Sequence, residues 1–300
     1  MGHQHNHHHH ISNGLGMAFL LNFGFTIIEF FGGYYTNSMS IISDAVHDAG
    51  DSLSLGLAWY LQRFSEREPT AKFTYGYKRL STLGALITAV VLIAGITFVL
   101  TQAIGRIYNP QPVIANGMIL LAVLGVAING AAFWRLNVGD KSLNTNMAKW
   151  HLLEDALGWV AVLIGGIVIT FTDWYILDSI LSLLISFFIL WNVFKSLKPV
   201  ATVFFQAAPD GFDIKKFETQ VTDLPEIDSI HHTHTWSLDG ESHVFSTHLV
   251  MKSGITREQI IEAKAHTKSL LEDQNFEHIT IAVEQDGEKC DSDIDHDHTD

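Results

Sequence analysis

The stretch Asp44-Ala-Val-His47-Asp-Ala-Gly-Asp51 sets an imidazole and a carboxylate four residues apart in an otherwise apolar segment, and His151-Leu-Leu-Glu-Asp155 repeats that spacing in another. Four-residue spacing puts both members of a pair on one face of a helix. Two such faces turned toward each other offer two imidazoles and two carboxylates, a complete tetrahedral set for a zinc-like divalent cation. Ionisable side chains at mid-membrane cost several kcal/mol, so four of them on two spans need a compensating role. Metal binding supplies one, because two ionised carboxylates cancel the charge of the cation. Both ligand types also accept protons, so metal and protons compete for the site, the minimal chemistry of a proton-coupled metal exporter. One such pair alone could equally be an internal ion pair that fixes helix packing. Two copies of the spacing favour the metal site. Asp44, near the same face, could line an entrance, whereas Asp48 points elsewhere. Glu154 is expected beside the ligands or lining their cavity, and Asn129 could donate a hydrogen bond to the site or serve helix packing.

These residues must be positioned by membrane-spanning helices. The 300 residues are 47% hydrophobic, with the apolar residues concentrated in the first two thirds, and the mean hydropathy is +0.19. Six hydrophobic segments, each near the roughly 20 residues that cross a bilayer, are expected at Leu15 to Tyr35, Ile41 to Phe64, Leu80 to Ile107, Val113 to Leu136, Met147 to Phe171 and Tyr175 to Leu197. Arg63, Arg67, Lys72, Lys78, Arg79, Arg135, Lys141, Lys195 and Lys198 fall on one set of connections, while the opposite loops lack Lys and Arg. By the positive-inside rule both termini are cytoplasmic. Polar residues favour the first, second, fourth and fifth spans, which suggests a bundle around a polar interior with the third and sixth more peripheral. The first apolar run lacks a basic leader and a small-residue cleavage site, so it should remain as a membrane helix. The net charge of -14 lies mainly in the last third; it argues against nucleic acid and leaves cations as natural partners. Cys290 is the single cysteine, so there is no disulfide framework within one chain and no Cys-rich zinc module.

The expected organisation is a His-rich flexible tail over 1–13, a six-helix transmembrane domain over 14–200, a small cytoplasmic α+β domain over 208–286 and an acidic, His-containing tail over 287–300. His3, His5 and His7 to His10 read either as a purification tag or as a metal-collecting arm; the interleaved Gln4 and Asn6 favour the arm. From Ala208 the periodicity gives α-β-β-α-β: a helix at Asp213 to Leu224, strands at Ser229 to Leu238 and Ser242 to Met251 about the turn Asp239-Gly240, a helix at Thr256 to Asp273 and a strand at His278 to Glu284. The core of so short a domain is small, and pairing with a second copy would help it. His231, His232 and His234 open one strand and His243 and His248 lie on the next, so several imidazoles can meet across the hairpin. His278 and Glu284 bracket the last strand. Together they suggest a regulatory or docking metal site.

These motifs resemble the cation diffusion facilitator family of zinc and cadmium exporters. The resemblance rests on the paired His-x-x-x-Asp motifs, Ser43-Asp44-Ala45 before His47, Tyr75-Gly76-Tyr77-Lys78-Arg79, His151-Leu-Leu-Glu-Asp155-Ala-Leu-Gly158, Ile230-His231-His232-Thr233-His234-Thr235-Trp236 and His278-Ile-Thr280-Ile281. It covers nearly the whole chain outside the two tails. It implies a Y-shaped or V-shaped homodimer in a lipid bilayer, the inner membrane of a bacterium, and export of Zn(II), with Cd(II) and Co(II) as further substrates, against inward protons by alternating access. It also implies a carboxy-terminal domain resembling a metallochaperone. The transport site carried over is His47, Asp51, His151 and Asp155, and His231, His248 and Glu284 fall where the family often places interfacial metal ligands, for a Zn(II) ion of structural or regulatory role. Phe73 and Tyr77 stand where some relatives have a surface metal site, so that site is expected to be absent. Ser81 replaces a common glutamate, and no His-rich loop separates spans four and five. An intramembrane metalloenzyme is disfavoured, since His-Glu-x-x-His is absent and four ligands close the site. A metal sensor leaves the intramembrane His and Asp unexplained.

Overall fold

The computed structural model describes residues 8–65, 67–137, 143–288 and 290. His3, His5, His7 and the tail histidines His296 and His298, expected in flexible segments, lie outside the described residues. The chain divides into two compact units, Met1–Arg63 with Gly84–Leu197, and Phe64–Leu83 with Lys198–Asp300.

Six long helices dominate the first part of the chain: α1 (His8–Thr36), α2 (Met39–Ser65), α3 (Arg79–Tyr108), α4 (Ala115–Asn137), α5 (Leu143–Thr172) and α6 (Ile176–Phe204). They follow the hydrophobic segments closely. Helix α1 starts at His8, ahead of the apolar run, and α6 continues past Leu197 through Pro199. Helices α3, α4, α5 and α6 are long and apolar enough to cross a membrane. Asp44, Asp48 and Asp51 dilute the apolar character of α2. Phe171 is 84% exposed and Phe31 and Leu120 are each 71% exposed. Side chains of that size, spread over several helices, suit lipid tails as solvent.

Inside, Ile41 of α2, Met118 and Ala122 of α4, and Trp159, Val162 and Ile169 of α5 form one buried cluster, with Phe25 of α1 against it. Small residues let these helices approach: a Cβ on Gly125 would meet the Trp159 ring, and one on Gly32 would meet Leu121. A second cluster joins Ala89, Leu92 and Ile96 of α3 to Ile189 and Val193 of α6, with Val46 of α2 beside it. The expected peripheral place of the sixth span needs correction. Asp178 of α6, 1% exposed, accepts hydrogen bonds from the start of α2, and Ser182 and Ser186 bond Ser43. A lone carboxylate and a few serines barely register in a hydropathy count, yet each must find a partner when buried.

The second unit follows the expected order, with α7 (Ile214–Thr222), β1 (Ile227–Ser237), β2 (His243–Met251), α8 (Arg257–Ser269) and β3 (Phe276–Gln285). Asp213 caps α7 by accepting from the Lys216 N–H, and Thr256 with Gln259 forms a capping box on α8. The sheet order is β1-β2-β3; β1 and β2 are antiparallel, β2 and β3 parallel. A parallel pair needs a crossover, and α8 supplies it. Phe217 and Val221 of α7 and Ala263 of α8 pack on Ile227, Phe245, Leu249 and Met251 of the sheet. The opposite sheet face is left for polar chemistry.

The segment preceding α3 belongs to this unit. Lys78 forms an ion pair with Glu277 and donates to Ser242 Oγ at 2.9 Å. The Tyr75 ring lies 5.0 Å from that of His278 and 6.4 Å from that of Trp236. The bond from Lys78 holds the Glu277 carboxyl below its usual range, against the opposing effect of partial burial.

Candidate metal-transport site

Helices α2 and α5 bring the two His-x-x-x-Asp pairs face to face. His151 Nε2 lies 3.1 Å from Asp51 Oδ2 and 3.7 Å from Asp155 Oδ2. His47 Nε2 lies 3.9 Å from Asp51 Oδ2 and 4.0 Å from Asp155 Oδ1. The two imidazole rings stand 6.0 Å apart, nearly perpendicular. Every imidazole therefore faces both carboxylates, one from its own helix and one from the other. With metal–ligand bonds of 2.0–2.2 Å, neighbouring ligand atoms of a tetrahedron stand about 3.3 Å apart. The ligand atoms of His47, Asp51 and His151 all lie within 4.8 Å of one another, while Asp155 approaches the two imidazoles through different oxygens and must move in to complete the tetrahedron.

The residues expected around this set divide. Asp44 is buried and its Oδ1 lies 4.0 Å from where a Cβ on Gly158 would stand, so it faces α5. Glu154 accepts a hydrogen bond from Asn192 Nδ2 at 3.3 Å, which ties α5 to α6. Asn129 Nδ2 donates at 3.2 Å to the Gly125 carbonyl of its own helix. Asp48, expected to point away, is also buried, 7% exposed, beside the fully buried Glu29 of α1. The Glu29 and Asp48 carboxyls stand within hydrogen-bonding reach of each other, so that one can share a proton with the other.

In the second unit a further set of donors converges on the polar sheet face. His231 opposes His248 across β1 and β2, and Glu284 pairs with Val250, two residues along β2 from His248. Glu284 Oε1 lies 2.5 Å from His248 Nδ1, and its Oε2 lies 3.2 Å from His231 Nε2. Cys290 Sγ lies 3.7 Å from His248 Nδ1, and the four donor atoms all fall within 4.8 Å of one another. Burial pushes the Glu284 carboxyl up, but the bonds from His248 and Cys290 and the nearby His231 and His248 charges outweigh it and hold the group below its usual range. Cys290 was not foreseen; its signal was a lone soft ligand a few residues beyond Glu284. Among the other expected residues, the His232 ring lies 5.0 Å from His231 and 5.4 Å from His248, beside the cluster. His234 lines a cavity with Trp236 and Gln206. His278 stands at the other end of β3 against Tyr75.

A bulge shapes this cluster. Between His231 and His234, β1 advances three residues while β2 advances two, from His248 to Ser246. His232 takes up the extra length with a left-handed φ of 51°. Phe73 and Tyr77 pack their rings 5.0 Å apart, and Ser81 Oγ donates to the Lys78 carbonyl at 2.8 Å.

Residues 15–204 match the cation efflux transmembrane domain. The chain belongs to the cation efflux family. Among its relatives, zinc transporter ZitB of Pectobacterium atrosepticum is 34% identical over 295 residues, 96% of this chain and 91% of the relative. The cadmium, cobalt and zinc/H(+)-K(+) antiporter of Bacillus velezensis is 31% identical, covering 95% of this chain and 92% of that protein. The metal cation efflux system protein CzcD of Cupriavidus metallidurans is 32% identical, covering 94% and 90%. As a cation efflux protein the chain is an integral membrane transporter of divalent metal cations, and it is not an enzyme.

Proposed function

We propose that this cation efflux protein exports Zn(II) from the cytoplasm in exchange for protons, by alternating access at His47, Asp51, His151 and Asp155. The observation that carries the reading is the convergence of two imidazoles and two carboxylates from α2 and α5, each imidazole within 4.0 Å of both carboxylates. Two carboxylates neutralise the dication, and imidazole suits zinc, cadmium and cobalt better than manganese. The same groups bind protons once the metal leaves, which couples the two gradients. The relative named for zinc transport supports this substrate, and the one named as a cadmium, cobalt and zinc/H(+)-K(+) antiporter supports exchange for protons. The six long helices and the Lys and Arg distribution support six spans with both termini cytoplasmic, and the bacterial relatives support the inner membrane of a bacterium.

The cluster of His231, His248, Glu284 and Cys290 suits a resident zinc ion: a tetrahedron with one thiolate has a sulfur-to-nitrogen edge of about 3.6 Å, near the spacing seen. These residues would hold the ion and fix the β1–β2–β3 face to the segment after β3. The small core of this unit favours a homodimer.

The test is zinc flux into proteoliposomes under an imposed pH gradient, with internal zinc and pH dyes read together. Wild type should take up zinc with matched proton exit. Asp51→Ala should remain folded and carry no zinc; normal flux in that variant would refute the assigned site.

A further inference from the structure

The transport site accounts for α2 and α5 but not for the polar seam that fastens α2 to α6. Asp178, the third residue of α6, spends both carboxylate oxygens on the start of α2. Its Oδ1 accepts from Ser38 Oγ at 2.6 Å, Ser40 Oγ at 2.6 Å and the Ser40 N–H at 3.2 Å. Its Oδ2 accepts from the Met39 N–H at 2.6 Å. One turn further on, Ser43 Oγ lies 2.7 Å from Ser182 Oγ and 3.2 Å from Ser186 Oγ. Ser38, Ser40, Ser43, Ser182 and Ser186 expose none of their surface.

Local capping does not explain this investment, because Ser38 already accepts from the Ile41 N–H through its own hydroxyl. The carboxylate comes from far along the chain and locks the rotation and height of α2, as a single local cap cannot. Beyond Ser43 the contact of α2 with this side turns apolar, through Val46. Helix α2 is thus pinned by a charged, four-donor bond at one end, while its ligands stand 8 and 12 residues further along, about 12 and 18 Å from the pin. A tilt of about 5° about the pin carries the Asp51 backbone about 1.6 Å. Metal bonds tolerate only about 0.2 Å.

We infer that Asp178 is a positioning residue for transport: it fixes the end of α2 about which the helix turns, and so sets where His47 and Asp51 stand relative to His151 and Asp155. The inference rests on the transport-site reading above. It predicts that loosening the pin impairs zinc binding in protein that is otherwise folded, whereas a purely structural bond would lower only the yield.

The experiment measures Zn(II) flux against zinc concentration for Asp178→Asn, Asp178→Glu, Ser38→Ala/Ser40→Ala and Asp51→Ala, each normalised to folded protein recovered by size exclusion. Asp178→Asn turns an amide N–H toward donors and should raise the apparent KM by about tenfold, the range seen when a group that orients ligands is lost. Asp178→Glu keeps the charge and should recover part of that loss. The double serine variant retains the carboxylate but only the two backbone donors, and should fall between Asp178→Asn and wild type. An unchanged KM in folded Asp178→Asn overturns the inference. If that variant does not fold, an unchanged KM in the double serine variant overturns it instead. Flux in Asp51→Ala at the wild-type level would strike the transport-site reading itself, whatever the Asp178 variants do.

Discussion

Gly125→Ala tests how tightly the spacing of α4 and α5 governs the transport site. A Cβ at that position would stand 2.3 Å from Trp159 Cδ2 and 2.5 Å from both Cε2 and Cγ. Carbon atoms rest in contact at about 3.5–4.0 Å, so the indole or the whole of α5 must retreat by more than about 1 Å. The indole has little room: Trp159 is 1% exposed and Phe25 meets it edge-on, ring centres 6.1 Å apart. Overpacking of this kind costs about 1–3 kcal/mol. Asp155 lies one turn before Trp159 and His151 two turns before it, so a retreat of α5 moves both ligands by several times the tolerance of a metal bond. Gly130→Ala on the same helix is the control, since nothing stands within 4 Å of its new methyl. It should be neutral or stabilising by up to about 1 kcal/mol. The assay is thermal unfolding in detergent followed by circular dichroism, paired with the KM for zinc in proteoliposomes. Gly125→Ala should melt lower and bind zinc more weakly, and adding Trp159→Leu should recover part of both losses. Equal melting and equal KM in the two alanine variants would refute the reasoning.

Two predictions concern the second unit. Cys290→Ser should weaken metal binding by about 10–100-fold, more for cadmium than for zinc because sulfur is the softer donor, as read by chelator competition on the whole protein; equal affinities would remove Cys290 from the ligand set. Glu277 has a depressed pKa, so the stabilisation from Lys78 is complete above the usual value of 4.5 and is lost as pH falls through the lower folded value. Hydrogen exchange of residues 73–80 should accordingly be faster in Glu277→Gln than in wild type at neutral pH and converge with it in acid. A gap that persists in acid strong enough to protonate the Glu277 carboxyl would show that the ion pair is not its source.

The spacing of His47, Asp51, His151 and Asp155 was legible because a helix repeats its faces every three to four residues, and two such pairs have few ways to meet. The α-β-β-α-β order was legible for a similar reason, as alternation and helical periodicity differ sharply. The anchoring of α6 was not. Ser38, Ser40, Ser43, Ser182 and Ser186 carry no charge, and only the packed helices show that Asp178 gathers the Ser38 and Ser40 hydroxyls with the Met39 and Ser40 N–H groups, while Ser43 meets Ser182 and Ser186. Alternation along β1 also misplaced one histidine: it sets His232 and His234 on one face and His231 on the other, whereas the bulge brings His231 opposite His248, on the face that His234 shares. Cys290 escaped because it lies beyond the last strand, where no periodicity applies.

The bulge in β1 carries a consequence for redundancy. In a regular hairpin, counting back from Thr235 opposite Phe245 would place His232, not His231, opposite His248. The two histidines are therefore interchangeable occupants of one place in the sheet, selected by where the extra residue sits. A shift of the bulge by one residue would exchange one imidazole for the other rather than abolish the donor. His231→Ala alone can then be rescued from next door, and a clean loss of that donor requires both histidines to be replaced together.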